Sequence, residues 1–398
     1  MSTLLIQIDE KLMFLGIPEE KSPRIRHLYN NNNFTNDLAD QLLYSIIRLC
    51  STLPGIVLHN TCVVLVVDLF LSKKERVSLC EVLFSNLKVK SILWMYSALT
   101  ATLSTGSKDA LVIDIGWYET KIIPIADLKI LSNLIRISDK CIMSVIEHMH
   151  NCLALCASSN STHASQRDLV PLPFQTFLSS LLTSTVYSFP SEDVPHTMTA
   201  QEIVHTIHNS PMSSMPFTSK PTHQCPPETV PFFDNNSNNY IKLPSWISNV
   251  CLESLFQGTD RLHLDLVEQA LPNLLEQVIC SLPLDLRRPL SKKILITGPL
   301  ASLPGMSERW QSEMVTRGMA IQCLHSHIQT PFLAWYGATI SWKSQMGNPK
   351  GNSSSAFSKP AFNNLPPSPM LFSYSQYSRG LPLPEWWFPH NHESEQSQ

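Results

Sequence analysis

Hydrophobic residues fall into short β-like runs separated by segments with helical spacing. Residues 3–8 (TLLIQI) and 13–17 (MFLGI) predict two strands around a charged turn, followed by the Pro- and Arg-bearing segment 19–28 and an Asn run at 30–33 that reads as a loop. Residues 38–49 (LADQLLYSIIRL) repeat apolar positions at helical intervals, and Pro54-Gly55 ends that pattern before a strand at 62–67. A helix over 72–84 opens with Ser72 and carries Glu75 three residues later, the pattern of a capping box. Residues 92–103 predict a further helix. After Thr105-Gly106, ALVIDIGWYETKIIPI (110–125) reads as strand, turn and returning strand.

The second half of the chain continues the alternation. A long helix is expected at 262–280, then a strand at 293–297 (KILIT), the turn GPLASLPG and a helix from about Ser307. Residues 157–168 and 209–239 are rich in Ser, Thr, Asn and Pro and predict surface insertions. Strands alternating with helices in two halves define an α/β protein whose sheets are covered by helices. After about residue 344 the chain turns Ser-, Asn- and Pro-rich, although Trp386-Trp387-Phe388 offers an aromatic cluster for docking on the body or on a partner.

Composition narrows the partners. At 398 residues and 43% hydrophobic, the chain can bury a sizeable core. A formal charge of −3 provides no basic field for nucleic acid or an anionic membrane. Ten scattered cysteines without a paired framework, and an N-terminus without a leader pattern, point to a reducing intracellular compartment. The longest apolar run, 62–71, carries Asp68 and is half of the roughly 20 residues a bilayer crossing needs, so no membrane insertion is expected. Glycine, the residue phosphate-cradling loops rely on, is scarce at 12 against 29 prolines.

Several segments resemble the actin-related proteins. Residues 110–125 look like that family's second phosphate loop and hairpin, 280–305 (CSLPLDLRRPLSKKILITGPLASLPG) like its late helix, strand and adenosine-side loop, and 332–342 (FLAWYGATISW) like its Trp-containing terminal helix. Weaker likeness lies in EIVHTI at 202–207 and LPSWISNVCLESLFQ at 243–257. The resemblance implies an actin-like (actin/hexokinase/Hsp70-type) fold of two lobes around a nucleotide cleft. The first lobe would span 1–125 with a reduced second subdomain, the second lobe 126–339 with the two insertions, and 340–398 would return to the first lobe.

The family grips ATP with glycine-rich turns, and this chain departs from them. Of the first loop only Asp9 matches, with Glu10, Lys11 and Leu12 where the family has a small polar residue, a glycine and a serine. Asp114 and Gly116 match the second loop, but Trp117-Tyr118 replace its next Asp-Gly pair, which implies a narrowed site. Gly298 and Gly305 match the late loop, with Pro299 in place of a paired glycine and its N–H. Ser97 stands where the family has the glutamine that orients the attacking water, so hydrolysis should fail. Asp9, Asp114, Gly116, Gly298 and Gly305 are therefore the remains of an ATP cleft, with no catalytic residues; the resemblance still allows ATP or ADP as a structural ligand that is not hydrolysed.

Other constellations read as structural. His148, Cys152 and Cys156 share a helical face with His150 nearby, yet three points along about 12 Å of helix cannot converge on one ion, so no metal site is expected. Cys80 and Cys280 are read on apolar faces as small hydrophobes, and Asp285, Arg287 and Arg288 as a surface ion pair and helix cap.

Within the family, FSYSQYSRGLPLPEWW (372–387) and LPLDLRRPL (282–290) are similar to the member that closes the pointed end of dynactin. That likeness implies a cytoplasmic, cytoskeletal subunit contacting an actin-related protein 1 filament and the other pointed-end subunits, and through them dynein. Where actins insert a small β-domain that grips the next subunit, this chain offers an Asn-rich loop and a helix, as a terminal cap should. The rival reading is a nuclear actin-related subunit of a chromatin-remodelling complex; against it stand the missing insert, the tail and the absence of a basic targeting run. An active sugar-kinase-like ATPase is opposed by Glu10, Ser97 and Trp117.

Overall fold

The computed structural model describes residues 2–18, 20, 22–28, 37–52, 58–148, 229–234, 239–244, 251–256, 269–324, 326, 332–345, 371–381 and 383. The chain divides into two compact units, the first built from Met1–Ala110, Ile125–Ser132 and Ser326–Gln398, the second from Leu111–Pro124 and Asn133–His325.

In the first unit the alternating N-terminal sequence makes β1 (Ser2–Ile8) and β2 (Leu12–Gly16), joined as an antiparallel hairpin in which Ile8 pairs with Met13. A third strand, β3 (Ile25–Leu28), pairs antiparallel with β2. The sequence pattern assigns no element within 19–28; four residues are too few to reveal a period, and it is pairing to β2 that makes Ile25–Leu28 extended. The helix α1 (Asp37–Thr52) follows, then β4 (Thr61–Val67), buried along its whole length and parallel to β1. Such a continuous Val/Leu run marks a strand covered on both faces.

The helix α2 (Lys73–Glu81) starts as its sequence predicts. The Glu75 N–H donates to Ser72 Oγ (3.2 Å), and the Ser72 N–H donates to the Glu75 carboxylate (2.9 Å). Ser72→Ala removes the cap and should lower unfolding free energy by about 1 kcal/mol in urea titration; no change would mean the box contributes nothing. The helix runs on into a π-turn at Val82–Asn86.

Residues 92–103, expected as one helix, are instead β5 (Ser91–Tyr96) followed by α3 (Ser97–Ser104). All six residues of β5 are buried, and the strand lies parallel beside β4. A run apolar on every side carries no period that separates strand from helix, so the two elements merged in the sequence reading. The C-terminal segment closes the sheet: β13 (Leu371–Ser373) pairs antiparallel with β5, giving the order β13-β5-β4-β1-β2-β3. The short helix after it, Tyr374–Ser378, begins with a second capping box, Ser373 with Gln376. Phe84 of the π-turn, fully buried, stacks on Tyr377 at 4.9 Å and meets the Phe372 ring edge-on at 5.9 Å. The tail resemblance at 372–387 thus begins on a segment docked to the sheet edge; Trp386, Trp387 and Phe388 lie outside the described residues.

The Trp-containing helix Leu333–Gln345 packs along α3 and against β1 and β4. Its Trp335 and Ala338 are fully buried in a core with Leu5, Val64 and Leu93. At the crossing with α3, a Cβ on Gly337 would sit 1.6 Å from the Thr100 carbonyl oxygen, so only glycine permits this approach.

The second unit is built on β6 (Ala110–Ile115), which pairs in parallel with β12 (Ile294–Thr297), and on β7 (Thr120–Ala126), which follows it in the sheet and also pairs with β9 (Arg136–Ser138). The end of β7 forms a tight hairpin with β8 (Lys129–Ile130). A separate hairpin pairs β10 (Thr229–Asp234), within the segment 209–239 expected as a surface insertion, with β11 (Asn239–Pro244) at and beyond its end. Its strands are TVPFFD and NYIKLP, whose β-rich residues outweigh the polar flanks. The insertion at 157–168 and the helix expected at 202–207 lie outside the described residues.

Of the helix expected at 262–280, the described part is α4 (Leu271–Ser281), with 262–268 outside; Pro272 in its first turn sits where its missing N–H costs nothing. It is followed by α5 (Leu284–Ser291) and, after β12, by α6 (Met306–Thr316). Cys280, expected on an apolar face, is exposed at the end of α4, while Cys80 is buried as expected. The Arg287 guanidinium donates to the last carbonyls of α4, those of Leu282 (2.7 Å) and Cys280, which makes it a C-terminal cap rather than half of an ion pair. No helix among the described residues is long and apolar enough to cross a membrane.

Candidate functional site

The residues singled out by sequence fall on three turns, one in the first unit and two in the second. In the first unit, Asp9 ends β1 and its N–H donates to the Leu12 carbonyl (2.8 Å), closing the β1–β2 hairpin around Glu10 and Lys11. Asp9 Oδ2 accepts from the side-chain amide of Gln7 (2.9 Å), itself 3% exposed. Lys11 is buried, and burial lowers its amine's pKa against the pull of Glu10.

In the second unit, Asp114 lies near the end of β6, in register with Thr297 of β12, whose hydroxyl donates to Asp114 Oδ1 (2.9 Å). The Gly116 N–H donates to the Glu119 carbonyl (3.0 Å), closing the second turn. A helix beginning at residue 142 lies over this turn, with the N–H groups of Ile142 and Met143 donating to the carbonyls of Gly116 (3.1 Å) and Trp117 (3.0 Å). The Trp117 indole is buried at 2% exposure, while Tyr118 is 41% exposed, so Tyr118 alone presents its ring at the surface of the turn. Glu119 pairs with the buried Lys121 at 3.1 Å.

The third turn follows β12. Gly298 takes φ +95°, and a Cβ there would lie 2.1 Å from the Ile115 carbonyl oxygen. It is a true glycine position, needed because the late turn presses on the second one. Pro299 then opens a 3-10 turn, Pro299–Ser302, and Gly305 at φ +86° begins α6. The structure therefore brings Asp114, Gly116 and Gly298 together in the second unit, puts Gly305 at the head of α6, and leaves Asp9 to the first unit. Ser97 is the first residue of α3.

A phosphate cradle works by converging free backbone N–H groups. Here the Asp9 and Gly116 N–H groups already donate to carbonyls within their own turns, and Pro299 has none. Within each unit, then, these N–H groups are already committed inside their own turns, a feature that the missing glycines alone do not reveal. Gln7 and Thr297, which hold the two aspartates, were not visible in the sequence. Thr297 is 183 residues from Asp114, and only the β12–β6 register reveals the pair. His148 ends the described part of its helix, where burial, reinforced by Lys140, lowers its pKa; Cys152, Cys156 and His150 lie outside the described residues.

Each unit thus has a mixed α/β build, with parallel strand pairs β1–β4–β5 in the first and β6–β12 in the second. Residues 27–346 match the family model described as Actin, and the chain belongs to the actin family. It is also similar to "Actin-like protein arp10" of Schizosaccharomyces pombe, with 33% identity over 389 residues, 97% of this chain and 98% of the relative.

Proposed function

We propose that this chain is a structural actin-related subunit, without ATPase activity, that closes the pointed end of an actin-related protein 1 filament in dynactin. Its setting would be the cytoplasmic cytoskeleton, where it would support dynein-driven transport along microtubules. The observation that carries the reading is the interval between β3 and β4. Among the described residues it holds α1 and a 3-10 turn at Leu58–Asn60, where actins insert a small β-domain that grips the next subunit. A subunit without that grip adds to a filament and accepts nothing beyond itself. The internally bonded turns at Asp9 and Gly116, with Pro299, support the absence of catalysis.

Two measurements test this. Purified full-length chain with magnesium and ATP should release phosphate no faster than buffer, and sustained turnover would overturn the non-catalytic part. The tagged chain, isolated from its native cells and quantified by mass spectrometry, should carry dynactin subunits with actin-related protein 1 in several-fold excess. Recovery of chromatin remodellers without dynactin, or of many copies of this chain per filament, would reject the filament-end role.

A further inference from the structure

Segment 371–381 rejoins the first unit after residues 346–370, which separate it from helix Leu333–Gln345. Few contacts hold it there. Phe372 is its one buried residue, at 2% exposure, whereas Leu371, Tyr374 and Leu381 stand 46%, 45% and 48% exposed. Ordering the segment costs backbone entropy at every residue, and one buried aromatic side chain offsets only part of that cost. Helix Leu333–Gln345, by contrast, buries both Trp335 and Ala338 completely. A segment with so few buried apolar contacts belongs among those that open locally, long before the fold around them does.

What the segment covers is a built groove. Phe84, 0% exposed, lies in the π-turn Val82–Asn86, an irregularity rare in helices and frequent at functional sites. Three rings of the segment close on it: Phe372 edge-on at 5.9 Å, Tyr374 at 6.0 Å and Tyr377 stacked at 4.9 Å. The Tyr377 hydroxyl lies 3.1 Å from Ser85 Oγ, and the Tyr374 N–H donates to the Lys90 carbonyl at 3.0 Å. Next to this aromatic slot, Ser91–Leu93 of β5 pair antiparallel with β13, Ile92 opposite Phe372. A pairing strand edge beside a side-chain slot is how a sheet accepts an extended peptide: main-chain bonds give affinity and the slot gives specificity.

We propose that residues 371–381 are a detachable strap, the chain's own occupant of a peptide-accepting groove formed by the outer edge of β5 at Ser91–Leu93 and the ring of Phe84. The strap itself defines the ligand chemistry. The groove takes an extended segment that places an aromatic ring at the position of Phe372 and follows it with further aromatics. Because strap and incoming peptide compete for one groove, the chain accepts the peptide only in proportion to the open fraction.

The test uses the full-length chain under native conditions. In hydrogen exchange followed by mass spectrometry, the strap amides should exchange together, at least about a hundredfold faster than those of β1 and β4. Their exchange should depend only weakly on low urea, because little surface is exposed on opening. A labelled synthetic peptide copying residues 371–381 should bind wild type weakly and bind the Phe372→Ala chain at least about tenfold more tightly, since the strap then competes less. The same peptide with its own phenylalanine replaced by alanine should not bind either chain. Should Phe372→Ala fail to fold, Tyr377→Phe decides in the same direction: it removes only the hydroxyl contact to Ser85 and should raise peptide affinity several-fold. Strap amides that exchange only as slowly as β1 and β4, or peptide affinity that the folded variant leaves unchanged or lowers, would overturn the proposal.

Discussion

Gly337→Ala is expected to destabilise the chain by about 3 kcal/mol, read as a lowered midpoint in chemical denaturation. The added methyl would meet the Thr100 carbonyl at 1.6 Å and its carbon at 2.5 Å, atoms of the α3 backbone that cannot rotate away. Helix Leu333–Gln345 would have to lift from α3, and Trp335 and Ala338 would loosen from a core in which both are fully buried. Gly318→Ala is the matched control. A Cβ there meets nothing within 4 Å, so its cost is only that of holding alanine at φ +73°, about 1 kcal/mol. Equal losses for the two would show that close helix approach is not what Gly337 provides.

Arg309→Ala should cost as much or more, about 3–5 kcal/mol. Arg309 of α6 is 2% exposed and makes a two-pronged contact with Glu253, at 2.7 and 2.6 Å, while its Nε donates to Glu313 at 3.0 Å. Its guanidinium also lies 4.7 Å from the Phe256 ring centre. Glu313 keeps a second cation, Arg317, at 2.6 Å; Glu253, 3% exposed, is left as a buried carboxylate without Arg309. Breaking one side of such a pair is worse than replacing both. The double variant Arg309→Met with Glu253→Met should therefore be more stable than Arg309→Ala alone, and a double variant that is less stable would mean the charges themselves hold the fold.

Much of the fold was legible because its strands and helices carry strong local signals. The capping box at Ser72 and the hairpin at 110–125 needed no tertiary information. The misreading at 92–103 has a physical origin. The buried β5 takes its identity from a partner strand, as do β3 and β10, to which the sequence pattern assigned no element, and none of these partners is contained in a local pattern. At the candidate site, the missing glycines and Pro299 were visible as residue types. The Asp9 and Gly116 N–H groups bonded within their own turns were not, because a backbone hydrogen bond depends on conformation rather than on side chain. Trp117 shows the same limit: its bulk was legible, but its burial was not.

The first unit draws on both ends of the chain, since its sheet is completed by β13 and its core by helix Leu333–Gln345. During synthesis at the usual ~5–20 residues per second, strands β1 to β5 emerge roughly ten to fifty seconds before those last elements. Throughout that interval the outer edge of β5, buried at all six positions in the finished fold, has no β13 to pair with and stands open to other chains. Until then the native sheet has nothing to cover that edge, and a chain cut short before residue 371 would lack the strand that pairs with it.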